Sequence, residues 1–378
     1  MTSADDRKRP DLTVVIPTFN NEAILARTLE SWRTHANSLN VEIVVVEDGC
    51  RDGTAALLER TATSDWGRAR FRWIHMDDAH ELRCTNAGFA AATGALLMAW
   101  QDDMFLQARW LVDELIEVFT RHRDVGLLGL SRGLDMFPVP DPIERWEDLI
   151  DWRRLRSTIG PFLWNWVRLQ EVDSTIRPWV IRRQCLERVG SLDEAFVPTE
   201  WDEADLAFRV RAAGWKVATC GYERLGGYFH VGSSTLGTLS DAYKARVLRN
   251  GRLFHERWDT EIERSHARPR STWARPMSLE RWATTGMQAL RAVPRRLAER
   301  RTPQMVSNPS LTVANERASE PTRPAVAPSD RPRYGEAGLS ERSRERAQRS
   351  EPRERSEPAK RLARERVGES EGRSPSEE

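Results

Sequence analysis

Short apolar, β-branched runs alternate with helical patterns along the first half of the chain, and this alternation constrains the fold most. "LTVVIP" is a run bounded by Pro17, and "NNEAILARTLESWRTH" follows with Ile24, Leu25, Thr28, Leu29 and Trp32 on one side of a helix. The cycle repeats with "VEIVVVEDG" and the helical "DGTAALLERTA". It continues with "RFRWIHM", the small-residue helix "TNAGFAAATG" and the run "ALLMAW". Strands that alternate with helices build an α/β fold, a mostly parallel central sheet covered by helices on both faces. In such sheets ligands bind beyond the carboxyl ends of the strands.

Those ends are where the polar residues collect. The first run closes on "PTFNNE", the second on "EDGCRDGT" and the fourth on "QDDM". No Gly-x-Gly-x-x-Gly follows the first strand and no Gly-x-x-x-x-Gly-Lys-Ser/Thr occurs, so a bound nucleotide needs something other than a glycine loop for its phosphates. A divalent cation on Asp103 meets that need, because hard carboxylate oxygens hold Mg2+ or Mn2+ and leave positions for pyrophosphate oxygens. Asp48 is placed to accept hydrogen bonds from a base or ribose. Each residue also has a simpler explanation. Asp48-Gly49 suits a turn, and Asp102 and Asp103 suit the cap of the helix "ARWLVDELIEVFTRH". Their coincidence at three strand ends favours a site.

Further along, "EWDEAD" gathers four acids before a helix, with Trp201 among them. Acids suit a helix start electrostatically, but one carboxylate here is also a candidate general base for a sugar hydroxyl. In "GGYFHVGSST", His230 is a candidate second metal ligand. The tryptophan-dense stretch 138–182 offers Trp164, Trp166 and Trp179 either as sugar-stacking surfaces or as core.

Composition separates the chain's ends. Lys and Arg total 58 against 57 Asp and Glu, so no basic excess announces nucleic acid. Four scattered cysteines without a CxxC pair argue against a zinc module or disulfide framework and fit a reducing compartment. "MTSADDRKRP" opens no signal peptide, and no stretch reaches the roughly 20 apolar residues of a membrane span. The expected organisation is a flexible N-terminus over 1–10, one domain over 11–262, a basic, partly helical segment over 263–300, and a disordered mixed-charge tail over 301–378. Within "SLERWATTGMQALRAVPRRLAERR" the arginines surround an apolar stripe, which reads as a surface helix or as peripheral contact with an anionic membrane. The localisation expected is cytoplasmic, with the inner face of the cell membrane as the surface for any such contact.

The ordered motifs resemble those of family 2 glycosyltransferases of the GT-A fold, over residues 11 to about 240. "VVIPTFNNE" resembles the first strand and loop that contact the nucleotide, which implies donor contacts from Pro17, Thr18, Asn20 and Glu22. "VVVEDGCRDGT" resembles the element whose acid, Asp48 here, contacts the base. "NAGFAAATG" resembles the segment before the DXD-type motif and adds Asn86 to the donor set. "QDDM" stands at that motif, which implies Gln101 and Asp102 on the donor and Asp103 on the metal. "WDEADLAFRVRAAGWKV" resembles the element that supplies the catalytic base, and "HVGSST" the late histidine segment, with His230 completing the metal site.

Two departures stand out. Gln101 replaces the first acid of the DXD-type motif, and Asp202-Glu203 inverts the usual order of the base pair. Alignment selects Glu203 as the base and residue type selects Asp202. The resemblance implies a Mn2+- or Mg2+-dependent inverting hexosyl- or deoxyhexosyl-transferase of polysaccharide biosynthesis. It would take a nucleotide-diphosphate sugar donor and a hydroxyl on a glycan or lipid-linked acceptor, with Trp179 and Trp201 near the acceptor. Two other readings stand beside it: a nucleotide-sugar-binding protein of the same fold with weak or no catalysis, and a scaffold or nucleic-acid binder acting through the Arg-rich tail. The last is disfavoured by the glutamates interleaved with the tail arginines.

Overall fold

A computed structural model describes residues 9–139, 143–145, 148–149, 166–231, 241–266 and 268–276. The expected tail, the segment 278–301, Trp164 and the residues after Val231 in "HVGSST" lie outside them. The elements in order are β1 (Leu12–Thr18), α1 (Glu22–Ala36), β2 (Val41–Asp48), α2 (Thr54–Thr63), α3 (Asp65–Arg70), β3 (Phe71–Met76), α4 (His80–Ala91), β4 (Leu96–Ala99), β5 (Met104–Leu106), α5 (Trp110–Arg121), β6 (Val125–Gly129) and β7 (Gly133–Leu134). Then come β8 (Trp166–Glu171), β9 (Ser174–Thr175), β10 (Trp179–Arg182), α6 (Arg183–Val189), α7 (Asp202–Ala212), β11 (Lys216–Thr219), β12 (Tyr228–His230), α8 (Asp241–His266) and β13 (Thr272–Pro276).

Nine strands form one sheet in the order β13-β8-β11-β6-β10-β4-β1-β2-β3. β1 pairs in parallel with β2 and β4, β2 with β3, and β6 with β11. The sheet is mostly parallel, as expected, but mixed: β10 runs against both β4 and β6, and β8 runs against β11 and β13. These two reversed strands come from the tryptophan-dense stretch 138–182, where the aromatic residues masked the short runs "WVRLQE" and "WVIR".

The pleat of β1 explains the two layers. Leu12, Val14 and Ile16 face a core shared with Leu25, Leu29 and Trp32 of α1 and Leu111 and Leu115 of α5. Val15 faces the other core, with Val44 and Val46 of β2, Leu82 and Phe89 of α4 and Phe208 of α7. The small residues of α4 have a reason: a Cβ on Gly88 would lie 2.2 Å from Cγ1 of Val15, so only glycine lets this helix sit so close to β1. That close approach brings the start of α4 to the end of β2.

Asp102 and Asp103 do not cap α5. They sit in the turn between β4 and β5, and α5 begins at Trp110. The neighbouring Trp100 is wholly buried, and its indole N–H donates to the carbonyl of Met104 at 2.9 Å, closing this turn.

Candidate active site

The turn after β4 is tied to β1 and α1. The Thr18 hydroxyl donates to Oδ2 of Asp102 at 2.8 Å, and the Thr28 hydroxyl donates to the Asp102 carbonyl. Burial pushes the Asp102 carboxyl up to about 7; the Thr18 bond opposes this and the charge of Asp103 adds to it. Asp103 is buried, and its Oδ1 lies 3.2 Å from Nε2 of His230. Strand pairing makes this contact: β12 runs antiparallel to β5 with His230 opposite Met104, and the Val231 amide donates to the Asp103 carbonyl at 3.1 Å. Burial alone would lower His230, but the Asp103 carboxylate outweighs it and the net shift is upward.

One carboxylate oxygen and one imidazole nitrogen fit Mn2+ or Mg2+ by donor chemistry. Among the described residues, no third His, Cys, Asp or Glu joins them in a metal-binding group. A cation held there would need its remaining ligands from a bound phosphate and water, as these ions commonly take in nucleotide sites.

The loop after β2 is organised from β1. Gly49 has φ +66°, which opens the turn, and Asn20 (φ +48°) accepts from the Arg51 amide at 2.6 Å while its own amide donates to Sγ of Cys50. The Glu22 amide donates to Asp52 at 3.0 Å, and the Glu22 carboxylate lies near Arg60. Pro17 stays inside β1, opposite Val46. Asp48 is buried and accepts from the amides of Ala79 and His80, at 2.6 and 3.0 Å, at the start of α4. It therefore holds a helix N-terminus as well as standing at a strand end.

A second group of acids surrounds Arg177, whose side chain is 8% exposed. The guanidinium pairs with Glu81 of the first turn of α4, with Asp202 at 3.3 Å and with Glu203 at 3.0 Å. One cation is shared by three carboxylates, and burial dominates the titration of Asp202 and Glu203. Glu203 is pushed up to about 8 by burial, with Arg177 opposing, Asp202 adding, and a hydrogen bond from Trp179 opposing again. Asp202 also moves up, chiefly through burial. Side-chain exposure differs between the two base candidates, 2% for Asp202 against 18% for Glu203. Only Glu203 presents an edge to an incoming hydroxyl.

The two acid groups meet at one end of the sheet. Trp179 pairs in register with Ala99, the last residue of β4, and its Nε1 donates to Glu203 at 3.0 Å. Glu203 is thus bonded to the partner of the strand end that leads into Gln101, Asp102 and Asp103. Gln101 is half-buried, and its carbonyl accepts from the Met104 amide at 3.2 Å.

Two of the candidate site residues are engaged inside the fold. Trp179 cannot offer its face to a sugar: it is wholly buried in mid-sheet against Phe89, and its role here is the bond to Glu203. The Asn86 amide is hydrogen-bonded to the backbone of the loop after α6. Its Nδ2 donates to the Leu192 carbonyl at 2.8 Å and its Oδ1 accepts from the Leu192 amide at 3.0 Å, which fastens α4 to the loop after α6. Trp201 is half-buried, with its ring 5.1 Å from Phe254 and 5.7 Å from His255 between centroids. Sequence reasoning missed Arg177, Glu81 and Glu200. "TIRPW" and "AHEL" carry no motif, and only the packing of α4 against the strand ends brings their charges together. Glu200 lay inside the acidic stretch but was not singled out; burial raises it, and Tyr243 of α8 is hydrogen-bonded to it.

Residues 13–188 match the family model described as "Glycosyl transferase family 2". A validoxylamine A glucosyltransferase of Streptomyces hygroscopicus subsp. jinggangensis (strain 5008) is 26% identical over 237 residues, covering 54% of this chain and 52% of that protein. A validoxylamine A glucosyltransferase of Streptomyces hygroscopicus subsp. limoneus is 25% identical over 237 residues, covering 54% of this chain and 49% of that protein. The match thus spans about half the length of these curated relatives. Among solved structures, the mannosyltransferase PcManGT from Pyrobaculum calidifontis, in complex with GDP-Man and Mn2+, is similar with a TM-score of 0.39 and 16% identity, covering 83% of this chain and 89% of that one.

Proposed function

We propose that this chain, whose residues 13–188 match the glycosyl transferase family 2 model, moves a sugar from a nucleotide-diphosphate donor to a hydroxyl acceptor with inversion at the anomeric carbon. The observation that carries this reading is the bond from Trp179, the in-register partner of Ala99, to Glu203. It sets a raised, accessible carboxylate beside the strand end that presents Asp102 and Asp103.

Donor binding falls to the ends of β1, β2 and β4. Thr18, Asn20 and the loop from Gly49 form the wall, and Asp48 faces the base side. Asp103 and His230 would hold Mn2+ or Mg2+, which when bound neutralises negative charge on the pyrophosphate. Glu203 takes the proton of the acceptor hydroxyl. The oxygen then forms its bond to the anomeric carbon, the bond from that carbon to the diphosphate breaks, and the electron pair leaves with the diphosphate. A carboxyl raised toward 8 suits this role, because a general base works best when its pKa lies near the working pH. Arg177 opposes the rise that burial imposes on Glu203 and Asp202. Its charge holds the base oriented, and the Trp179 N–H fixes which oxygen faces the acceptor.

The acceptor is a glycan or lipid-linked hydroxyl. The relatives named for glucosyl transfer support placing glucosyl donors first in the assay panel. Among the described residues no helix is long and apolar enough to cross a membrane.

The test supplies nucleotide-diphospho-sugars with Mn2+ and a panel of hydroxyl acceptors, then reads the product's mass and its anomeric configuration by NMR. An inverted product that Glu203→Gln no longer forms supports the proposal. A product of retained configuration, or unchanged turnover in Glu203→Gln, sinks it.

A further inference from the structure

We propose that Asn250, on α8 and beyond the segment matched by the family, is a positioning residue that sets the direction in which Glu203 leaves the start of α7. This rests on the transferase reading above and deepens it. The Asn250 side chain is wholly buried and faces the loop that leads into α7. Its Nδ2 donates to the carbonyl of Phe196 at 2.8 Å, of Thr199 at 2.9 Å and of Glu200 at 3.1 Å. The neighbouring Arg249 donates to the Val197 carbonyl, and its Nε donates to Oδ1 of Asn250 at 2.8 Å. That second bond assigns the amide's orientation: a flip would set Oδ1 against three carbonyls and the NH2 against a guanidinium.

The loop needs such a hold. Glu200 and Trp201 have φ of +81° and +68°, the left-handed region where side chains other than glycine are strained. Such a pair persists only where the surroundings fix it, and α8 provides both constraints. Asn250 and Arg249 hold the carbonyls on one side of the corner. One turn later, Phe254 and His255 hold the Trp201 ring. Trp201 is also the last residue before α7, and its carbonyl accepts from the Asp205 amide at 2.9 Å. The corner angle therefore fixes where Asp202 and Glu203 point. Glu203 meets Trp179 from β10, Arg177 from the loop before it, Asp202 on its own helix and Glu81 from α4. A rotation of the corner takes it off Trp179 and Arg177 together.

An amide is the group that does this. It brings two N–H donors on a short arm, whereas aspartate has the same shape and no donor. Asn250→Asp therefore separates hydrogen bonding from packing, Asn250→Ala removes both, and Arg249→Ala tests the surface end of the clamp with little risk to folding.

In the full-length chain, hydrogen exchange measured by mass spectrometry should show faster exchange confined to 196–203 in Asn250→Asp and Asn250→Ala. Their kcat per folded protein should fall about tenfold or more, because small misplacements of a reacting group are that costly. Donor KM should stay within about twofold, since the donor loops are untouched, and a uniform loss of folded protein is excluded by counting folded enzyme. The rising limb of the pH profile should move alkaline, since Glu203 loses its bond from Trp179. A merely structural role leaves that limb in place. Arg249→Ala should give the same pattern in weaker form. Wild-type exchange over 196–203 in Asn250→Asp overturns the proposal, and so does a loosened loop with unchanged kcat and pH limb. If the wild-type chain turns over no donor while the loop still loosens, the transferase reading fails and the positioning role falls with it, leaving a structural clamp.

Discussion

The indole Nε1 of Trp179 stands 3.0 Å from the carboxylate of Glu203 and donates to it, from a ring that is otherwise sealed inside the sheet. A buried N–H spent on one carboxylate lowers that group's pKa against the burial that raises it. Trp179→Phe keeps the ring against Phe89 and deletes only the donor. The rising limb of the kcat–pH profile should shift alkaline by about one unit, the equivalent of a hydrogen bond to a charged group worth roughly 1.5 kcal/mol. A limb that stays in place contradicts the role given to this bond.

The wild-type limb has a direction of its own. Glu203 acts as a base only when ionised, so activity should climb with pH through about 8 and fall off below it. Stability runs the other way. The folded carboxyl binds its proton more tightly than the unfolded chain, whose Glu titrates near its ordinary value of 4.5, so the folded state is relatively favoured at low pH. That advantage is lost as pH rises toward 8. Glu203→Gln removes the titration, and its Tm relative to wild type should increase between pH 5 and about 8.

Arg177 is the only cation paired with Glu81, Asp202 and Glu203 among the described residues. Arg177→Met leaves those acids without their buried partner and should cost about 3–5 kcal/mol of stability near pH 8. The loss should shrink toward pH 5 as the raised carboxyls take up protons. Denaturant unfolding at the two pH values checks this, and an equal loss at both contradicts the shared-charge account.

Asn86→Ala should act on stability and not on the donor. Two hydrogen bonds to Leu192 disappear, worth roughly 1–2 kcal/mol together. Donor KM should remain as in wild type, and a rise of tenfold in KM at unchanged stability would return Asn86 to the donor site.

Much of this architecture was legible in the residues because the period of the apolar runs is local information. β1, β2, β3 and β4 and the helices between them follow from it, as does the contact between Asp103 and His230 once the family motifs are recognised. What stayed hidden depends on packing. Trp179 reads equally as a sugar platform or as core because tryptophan type says nothing of burial, and the reversal of β10 seats it in mid-sheet. Asn86 lies in a recognised segment, yet its amide is taken up by a loop some hundred residues away in the chain. Arg177 has no signature beside it, since its three partners come from α4 and α7. Asn250 lies in a helix whose sequence reads as an ordinary charged surface.

The central claim is that the strand ends bind a nucleotide diphosphate through a cation on Asp103 and His230, beside the Glu203 base. It is tested most directly by thermal denaturation of wild type and Asp103→Ala with UDP, GDP or dTDP, each with and without Mn2+. The account predicts that one nucleotide diphosphate raises the wild-type Tm only when Mn2+ is present, and that the rise vanishes in Asp103→Ala. No rise with any of the three, or an equal rise in the variant, contradicts it.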